Sequence, residues 1–264
     1  MIGMFRSLWQ YRHFVISSIR NELKSRFARS KLGGLWVIIS PLSQVLIYAL
    51  ILSNVLAAKI PGIENKYSYA IYLMAGLLAW SLFSEIINRC LNLFIENGNL
   101  MKKMNFPRIT LPSIVIGSCL LNYILLFTSM LVIFALLGHQ FSLTMLWLIP
   151  LTLALVVLAL GLGLTIGILN VFLRDIGQVI PIILQVWFWL TPIVYPESII
   201  PENYQHLMNL NPMYPIVSAY HKILVYNEVP QLFDVAIISV IALAILLLSL
   251  FIFRRASSEM VDVL

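Results

Sequence analysis

From Leu232 to Phe253 the chain carries one charged residue, Asp234, in a run of Leu, Ile, Val, Ala and Phe. About 20 predominantly apolar residues cross the hydrocarbon core of a bilayer as a helix. Five more stretches of this kind, at about 35–57, 69–95, 110–137, 143–170 and 177–195, predict six transmembrane helices. The second and fourth are long enough to tilt or to project beyond the bilayer. A soluble domain of 264 residues could not hide a composition that is 61% hydrophobic and 11% charged. Soluble dehydrogenases, kinases and nucleic-acid binders are thereby excluded. The fold class is an all-α polytopic membrane protein.

The basic residues orient it. Thirteen of the 17 Lys and Arg fall in 1–34, 96–109, 171–176 and 254–264, the segments on one side of a six-span chain. Lys59, Lys66 and Lys222 fall on the other side, and Arg89 lies within a span. Positive segments stay inside, so both termini are expected in the cytoplasm. The first 34 residues are too polar to hold a signal-peptide core, which leaves the first span as the insertion signal. Cys90 and Cys119 fall in or near apolar runs and read as small core residues.

One domain is expected over 1–264, with an interface helix in 1–34, spans one to five in 35–195, span six in 232–253 and a tail at 254–264. In 196–231, Pro196, Pro201, Pro212, Pro215 and Pro230 interrupt apolar patches too short to span, which predicts interfacial or re-entrant helices on the external side. At 100° per residue Phe5, Leu8, Trp9, Ile16, Ile19, Leu23 and Phe27 form one stripe, opposite Arg6, Gln10, Ser17, Asn21, Lys24 and Ser25. Arg12 interrupts the stripe and can snorkel to headgroups. This is the pattern of an amphipathic helix lying in the membrane interface. It serves either as an electrostatic anchor or as a contact for a cytoplasmic partner. Ser30 to Gly34 predicts a tight turn into the first span.

Catalytic signatures are scarce. No phosphate-binding loop occurs, and Gly163 and Gly167, four residues apart inside a span, point to close helix packing. His13, His139, His206 and His221 are scattered, so no metal site and no resident cofactor are expected. Glu85 and Arg89 are intramembrane charges at i,i+4 spacing, suited to neutralise each other, to line a polar path or to dock the interface helix. Trp187, Phe188, Trp189 and Tyr195 crowd the outer half of span five; Tyr69, Tyr72 and Trp80 stud span two. Such rings form either an interfacial belt or faces along a path suited to sugars.

The segment from Glu96 through Asn97, Gly98 and Leu100 to Phe106, Pro107 and Arg108, followed by Leu111-Pro112, resembles the intracellular loop of ABC-2-type transporter permeases. The branch it is similar to exports O-antigen, capsular polysaccharide and teichoic acid. Lys24 to Gly33, Trp36, Pro41, Gly76 to Trp80, Phe172 to Asp175, Thr191 to Tyr195 and Asn211-Pro212 agree in order, over nearly the whole chain. Phe27 keeps the ring of the tyrosine common there and loses its hydroxyl. The resemblance implies the permease subunit of an exporter, itself no enzyme. It implies a homodimer in the bacterial inner membrane bound to two separate ATP-binding-cassette subunits that hold ATP and Mg, with lipid-linked polysaccharide as substrate and no nucleic acid. It assigns ATPase coupling to Arg26, Phe27, Asn97, Leu100, Lys102, Lys103, Phe106 and Pro107, and exit gating to the short helices before span six. A transport path at the dimer interface is expected to be lined by Tyr48, Trp187, Trp189 and Tyr195.

An ABC-2 exporter of a small drug or lipid is the alternative, and a polytopic membrane transferase is a third reading that the absence of acid clusters in the loops disfavours. Since the chain carries no phosphate-binding loop, the isolated polypeptide should hydrolyse no ATP, with turnover appearing only when an ATPase co-purifies. A phosphate-release assay on both preparations checks this.

Overall fold

The structure, a computed structural model, describes residues 9–27, 35–47, 68–103, 107–136, 138–140, 142–197, 200–201, 208, 210–257 and 259–263. Among them there are helices and connecting turns and no strand. In chain order the helices are α1 (Arg12–Phe27), α2 (Trp36–Ile47), α3 (Ser68–Glu96), α4 (Gly98–Lys103), α5 (Thr110–Leu136), α6 (Leu148–Phe172), α7 (Ile176–Leu190), α8 (Met213–Leu224), α9 (Leu232–Ala256) and α10 (Glu259–Val263). A 3-10 turn, Leu143–Trp147, leads into α6.

Among the described residues, four helices have the length and apolarity to cross a membrane: α3, α5, α6 with its lead-in turn, and α9. They coincide with expected spans two, three, four and six. Of the first expected span, only the part up to Ile47 is described, as α2. Its remainder, Tyr48, Phe106 and the turn at 30–34 lie outside the described residues, as do the side chains of Arg26, Phe27 and Lys103. The fifth span is shorter than expected. Its helix α7 has 15 residues and ends at Leu190, because Pro192 forces the preceding Thr191 into extended backbone (φ −107, ψ 132).

The most enclosed helix is α3, packed against α5, α6 and α8; α6 in turn packs on α9, while α1 and α2 lie on α5. Phe83, Phe94, Met74, Leu78 and Ile86 of α3 are completely buried. Glycines set how closely these helices approach. A Cβ at Gly163 would lie 2.9 Å from the Cβ of Cys90, and one at Gly167 would run into the Cys90 carbonyl. Gly161, two residues earlier and therefore on the other side of α6, would bring a Cβ to 2.9 Å from the Leu246 amide of α9. One helix thus receives a neighbour on each side through missing side chains. Pro112 and Pro150 stand third in α5 and α6, in the first turn, where the absent N–H has no intrahelical partner to lose.

Gly167→Val drives a branched side chain into the α3 backbone. It should cost at least about 1–3 kcal/mol, seen as a lower thermal midpoint in detergent and lower abundance. Val240→Ala, on the exposed face of α9, should leave both within the small range of surface changes.

Candidate functional site

A helix of 15 residues reaches about 22 Å, short of a hydrocarbon core of about 30 Å. Beyond Leu190 the chain runs on irregularly from Thr191 to Tyr195. Irregular backbone at membrane depth survives only where other groups satisfy its carbonyls, and here side chains do so. The Tyr69 hydroxyl donates to the Val194 carbonyl at 2.9 Å. The Tyr72 hydroxyl shares its proton between the carbonyls of Tyr195 (3.0 Å) and Pro192 (3.4 Å). Tyr69 and Tyr72 stand three apart on α3 and so share a face. Thr191 Oγ1 donates back to the Trp187 carbonyl at 2.9 Å.

Asn211 closes the arrangement. Its Nδ2 donates to Thr191 Oγ1 (2.9 Å) and to the Leu190 carbonyl (3.5 Å). Its Oδ1 accepts the indole N–H of Trp187 (2.8 Å) and the backbone N–H of Met213, the first residue of α8 (3.0 Å). The Asn211-Pro212 pair therefore joins the broken end of α7 to the start of α8. The latter is held in the bundle by a buried hydroxyl triangle: Tyr220 lies 2.7 Å from Thr152 of α6 and 3.0 Å from Tyr123 of α5. His221 stacks on Tyr72 with ring centroids 3.7 Å apart. A side chain at Gly76 would meet that imidazole, which explains the glycine. His139, in the connection before α6, bonds the Leu224 carbonyl at 3.2 Å. Burial lowers its pKa, and the bond to the carbonyl partly opposes the shift.

The expected path residues separate. Trp187 and Trp189 are two positions apart, about 200° around a helix, and cannot share a face. Trp187 turns inward, its centroid 5.2 Å from Phe83 and 6.4 Å from Trp80. Within this chain it is part of the packing, while Trp189 points away from it. Trp189 is 60% exposed, and the half-buried Tyr195 donates its hydroxyl to the Trp189 carbonyl at 2.8 Å. Along α7, Gln178, Ile182, Gln185 and Trp189 fall on one stripe and all are exposed. Leu184 is the buried residue of this helix.

At the opposite end of the bundle a groove of about 410 Å³ lies between α1, the end of α3, α4 and the start of α5. Of the expected coupling residues, Asn97 and Leu100 line it. The structure also rotates the expected stripe of α1 by roughly 60°: Val15, Ser18, Ile19, Glu22 and Leu23 are its less exposed positions, while Trp9 and Ile16 are exposed. The shift follows from two contacts. Ile19 sits where a Gly117 side chain would be, and Glu22 receives Arg89 at 2.5 Å and the Ser118 hydroxyl at 2.7 Å. Arg89 therefore makes an ion pair across helices, and Glu85 on its own helix accepts Asn122 Nδ2 at 2.6 Å. Arg12 folds back, donating to the Trp9 carbonyl at 2.9 Å and lying over its ring.

Asn97 donates its side-chain amide to the Leu93 carbonyl at 2.8 Å, and the short helix α4 follows. Leu100 and Lys102 are exposed and Met101 is buried. Past Pro107, whose carbonyl accepts the Thr110 hydroxyl at 2.8 Å, Arg108 bonds the carbonyl and, at 2.6 Å, the hydroxyl of Ser257 at the end of α9. The loop is thus tied down on both sides. Sequence reasoning missed Glu22, although it is the one carboxylate in the first 34 residues. It also missed Gln178 and Gln185, whose signal is an amide recurring after seven residues within an apolar helix.

Residues 14–225 match the ABC-2 type transporter family. The chain is 31% identical over 252 residues to the O-antigen export system permease protein RfbA of Myxococcus xanthus, covering 92% of this chain and 93% of that relative. A protein of the same name from Klebsiella pneumoniae is 27% identical over 247 residues, 92% of each chain. The polysialic acid transport protein KpsM of Escherichia coli is 24% identical over 243 residues, 90% of this chain and 92% of the relative.

Tyr72→Phe leaves two carbonyls of the broken segment without their donor and should cost about 1–3 kcal/mol of stability. Asn211→Ala should cost more, since it orphans the Trp187 indole as well. The two losses act on one segment and should not add; thermal unfolding of the single and double variants in detergent measures this.

Proposed function

The chain belongs to the ABC-2 type transporter family, and on that footing we propose that it is the permease subunit of an ATP-driven polysaccharide exporter. The relatives named for O-antigen export and polysialic acid transport support this substrate class. The finer reading is lipid-linked polysaccharide of the O-antigen kind, moved across the bacterial inner membrane by two copies of this chain and two ATP-binding-cassette subunits. These hold ATP and Mg; this chain supplies no catalysis. Six spans cross the membrane with both termini cytoplasmic, α1 lies in the cytoplasmic interface, and α8 is a re-entrant gate helix on the external side.

The observation that carries this reading is the bare stripe Gln178, Ile182, Gln185 and Trp189 on α7. Gln185 is the tenth of 15 residues in that helix, which sets it about 15 Å along its axis. An amide without a hydrogen-bond partner in hydrocarbon costs roughly 2–7 kcal/mol. The face therefore suits a wetted passage between two copies better than lipid. Amides trade hydrogen bonds with successive sugar hydroxyls, while the exposed Trp189 ring offers a weak stacking surface that does not trap a polymer. A small hydrophobic substrate has no use for such amides, which disfavours that alternative. At the other end, α1, Asn97, Leu100 and Lys102 offer the ATPase a surface, and the Glu22–Arg89 pair carries its push into α3.

Gln185→Leu should cut surface polysaccharide at least about tenfold, the effect of 1.4 kcal/mol, with the protein at its normal abundance. A cysteine at 189 should react from outside with a membrane-impermeant thiol reagent during turnover. Unimpaired export in the leucine variant together with complete protection at 189 would leave the stripe facing lipid and remove this reading of the path.

A further inference from the structure

A second cavity, about 750 Å³, lies between α8 and α9 and has no part in the path described above. Its size falls within the roughly 300–1,000 Å³ usual for small-molecule sites. Two facing stripes make its walls. On α9 Asp234, Ile238, Ile241 and Ile245 follow one another at helical spacing; on α8 and its start, Asn211, Pro215, Ser218 and Lys222 do the same. The first stripe begins with a carboxylate in the opening turn of α9 and is then aliphatic from Ile238 to Ile245, about 10 Å. Ile245 closes the bottom, resting where a Gly161 side chain would be. Ile237 and Ile241 are exposed, so the cavity opens sideways along the membrane-facing surface of α9.

Polar groups share the walls, and Tyr214 lies near both Glu197 and Asp234. Glu197, Asp234, Tyr214 and Lys222 all line the cavity, and Tyr214 donates its hydroxyl to Glu197. Burial and the adjacent Glu197 carboxylate raise the Tyr214 pKa, so this donor keeps its proton. An aliphatic trough with a charged mouth matches an amphipathic molecule lying along the helix. A headgroup carrying only phosphate would meet two carboxylates against one ammonium. A headgroup carrying both phosphate and a primary amine complements the mouth, its phosphate on Lys222 and its ammonium on Asp234 and Glu197.

We infer that the α8–α9 cavity is a binding site for one zwitterionic aminophospholipid, with one acyl chain along Ile238, Ile241 and Ile245. The inference concerns a membrane lipid and not the exported substrate, so it stands or falls separately from the proposed function.

The purified full chain, together with whatever subunits co-purify, is exchanged into nanodiscs of equimolar phosphatidylethanolamine and phosphatidylglycerol. It is then released into mild detergent, and retained lipid is counted by native mass spectrometry. One phosphatidylethanolamine per chain should be retained in preference to phosphatidylglycerol. Lys222→Glu should weaken retention by about tenfold, the effect of losing one charge-assisted contact. Ile241→Trp should fill the trough and abolish retention while the protein still inserts and runs as the same species on size exclusion. Equal retention of the two lipids, retention of neither, or retention unaffected by Ile241→Trp overturns the inference, whether or not polysaccharide export proves to be the chain's function.

Discussion

A carbonyl in hydrocarbon has no water to turn to, and α7 leaves several exposed where it breaks at Leu190. The answer is a set of donors brought from elsewhere in the chain: Tyr69 and Tyr72 from α3, Asn211 from the start of α8. Much of the surrounding structure follows from keeping those donors in place. The two tyrosines need α3 at the centre of the bundle, and α3 gets there because Gly163 and Gly167 let α6 lie against it. Asn211 needs α8 pressed into the bundle, which the Tyr123, Thr152 and Tyr220 hydroxyls and the stacking of His221 on Tyr72 accomplish. Cohesion near the break is therefore polar, unlike the apolar packing of Met74, Leu78, Phe83, Ile86 and Phe94 of α3.

That contrast explains how far the sequence could be read. Four spans were legible almost to their ends, because bilayer thickness imposes a run of about 20 apolar residues regardless of partners. Close packing at Gly163 and Gly167 was legible too, since small residues act locally. Facing was not. The α1 stripe was chosen by apolarity, yet the helix presents Ser18 and Glu22 to α5, because Arg89 and Ser118 lie across from them. Those partners stand 67 and 96 residues away in the chain. The inward packing of Trp187 was hidden for a similar reason: the indole N–H has its acceptor in Asn211, beyond the break. The break itself had a visible sign in Thr191-Pro192, masked by the apolar residues on either side.

The two ends of the bundle are built to different ends. Near α4, attachments come from three directions: Glu22 to Arg89, Arg108 to Ser257, and α10 packed on α4 and α6. These contacts join α1 to α3, Arg108 to the end of α9, and α10 to α4 and α6. At the opposite end, α8 is bound by hydroxyls, a stacked imidazole and one asparagine, and by its buried Met213, Ile216, Val217, Ile223 and Leu224.

Asn211 has a mechanical consequence. A single side chain grips the last turn of α7 through Leu190, Thr191 and Trp187, and grips α8 through the Met213 amide. The last turn of α7 and the start of α8 thus share one set of bonds, and a slide of either helix along its axis would break the grip on both. The far end of α8 is fixed separately, by the Tyr220 hydroxyl triangle, the His221 stack and the tie from His139 to the Leu224 carbonyl.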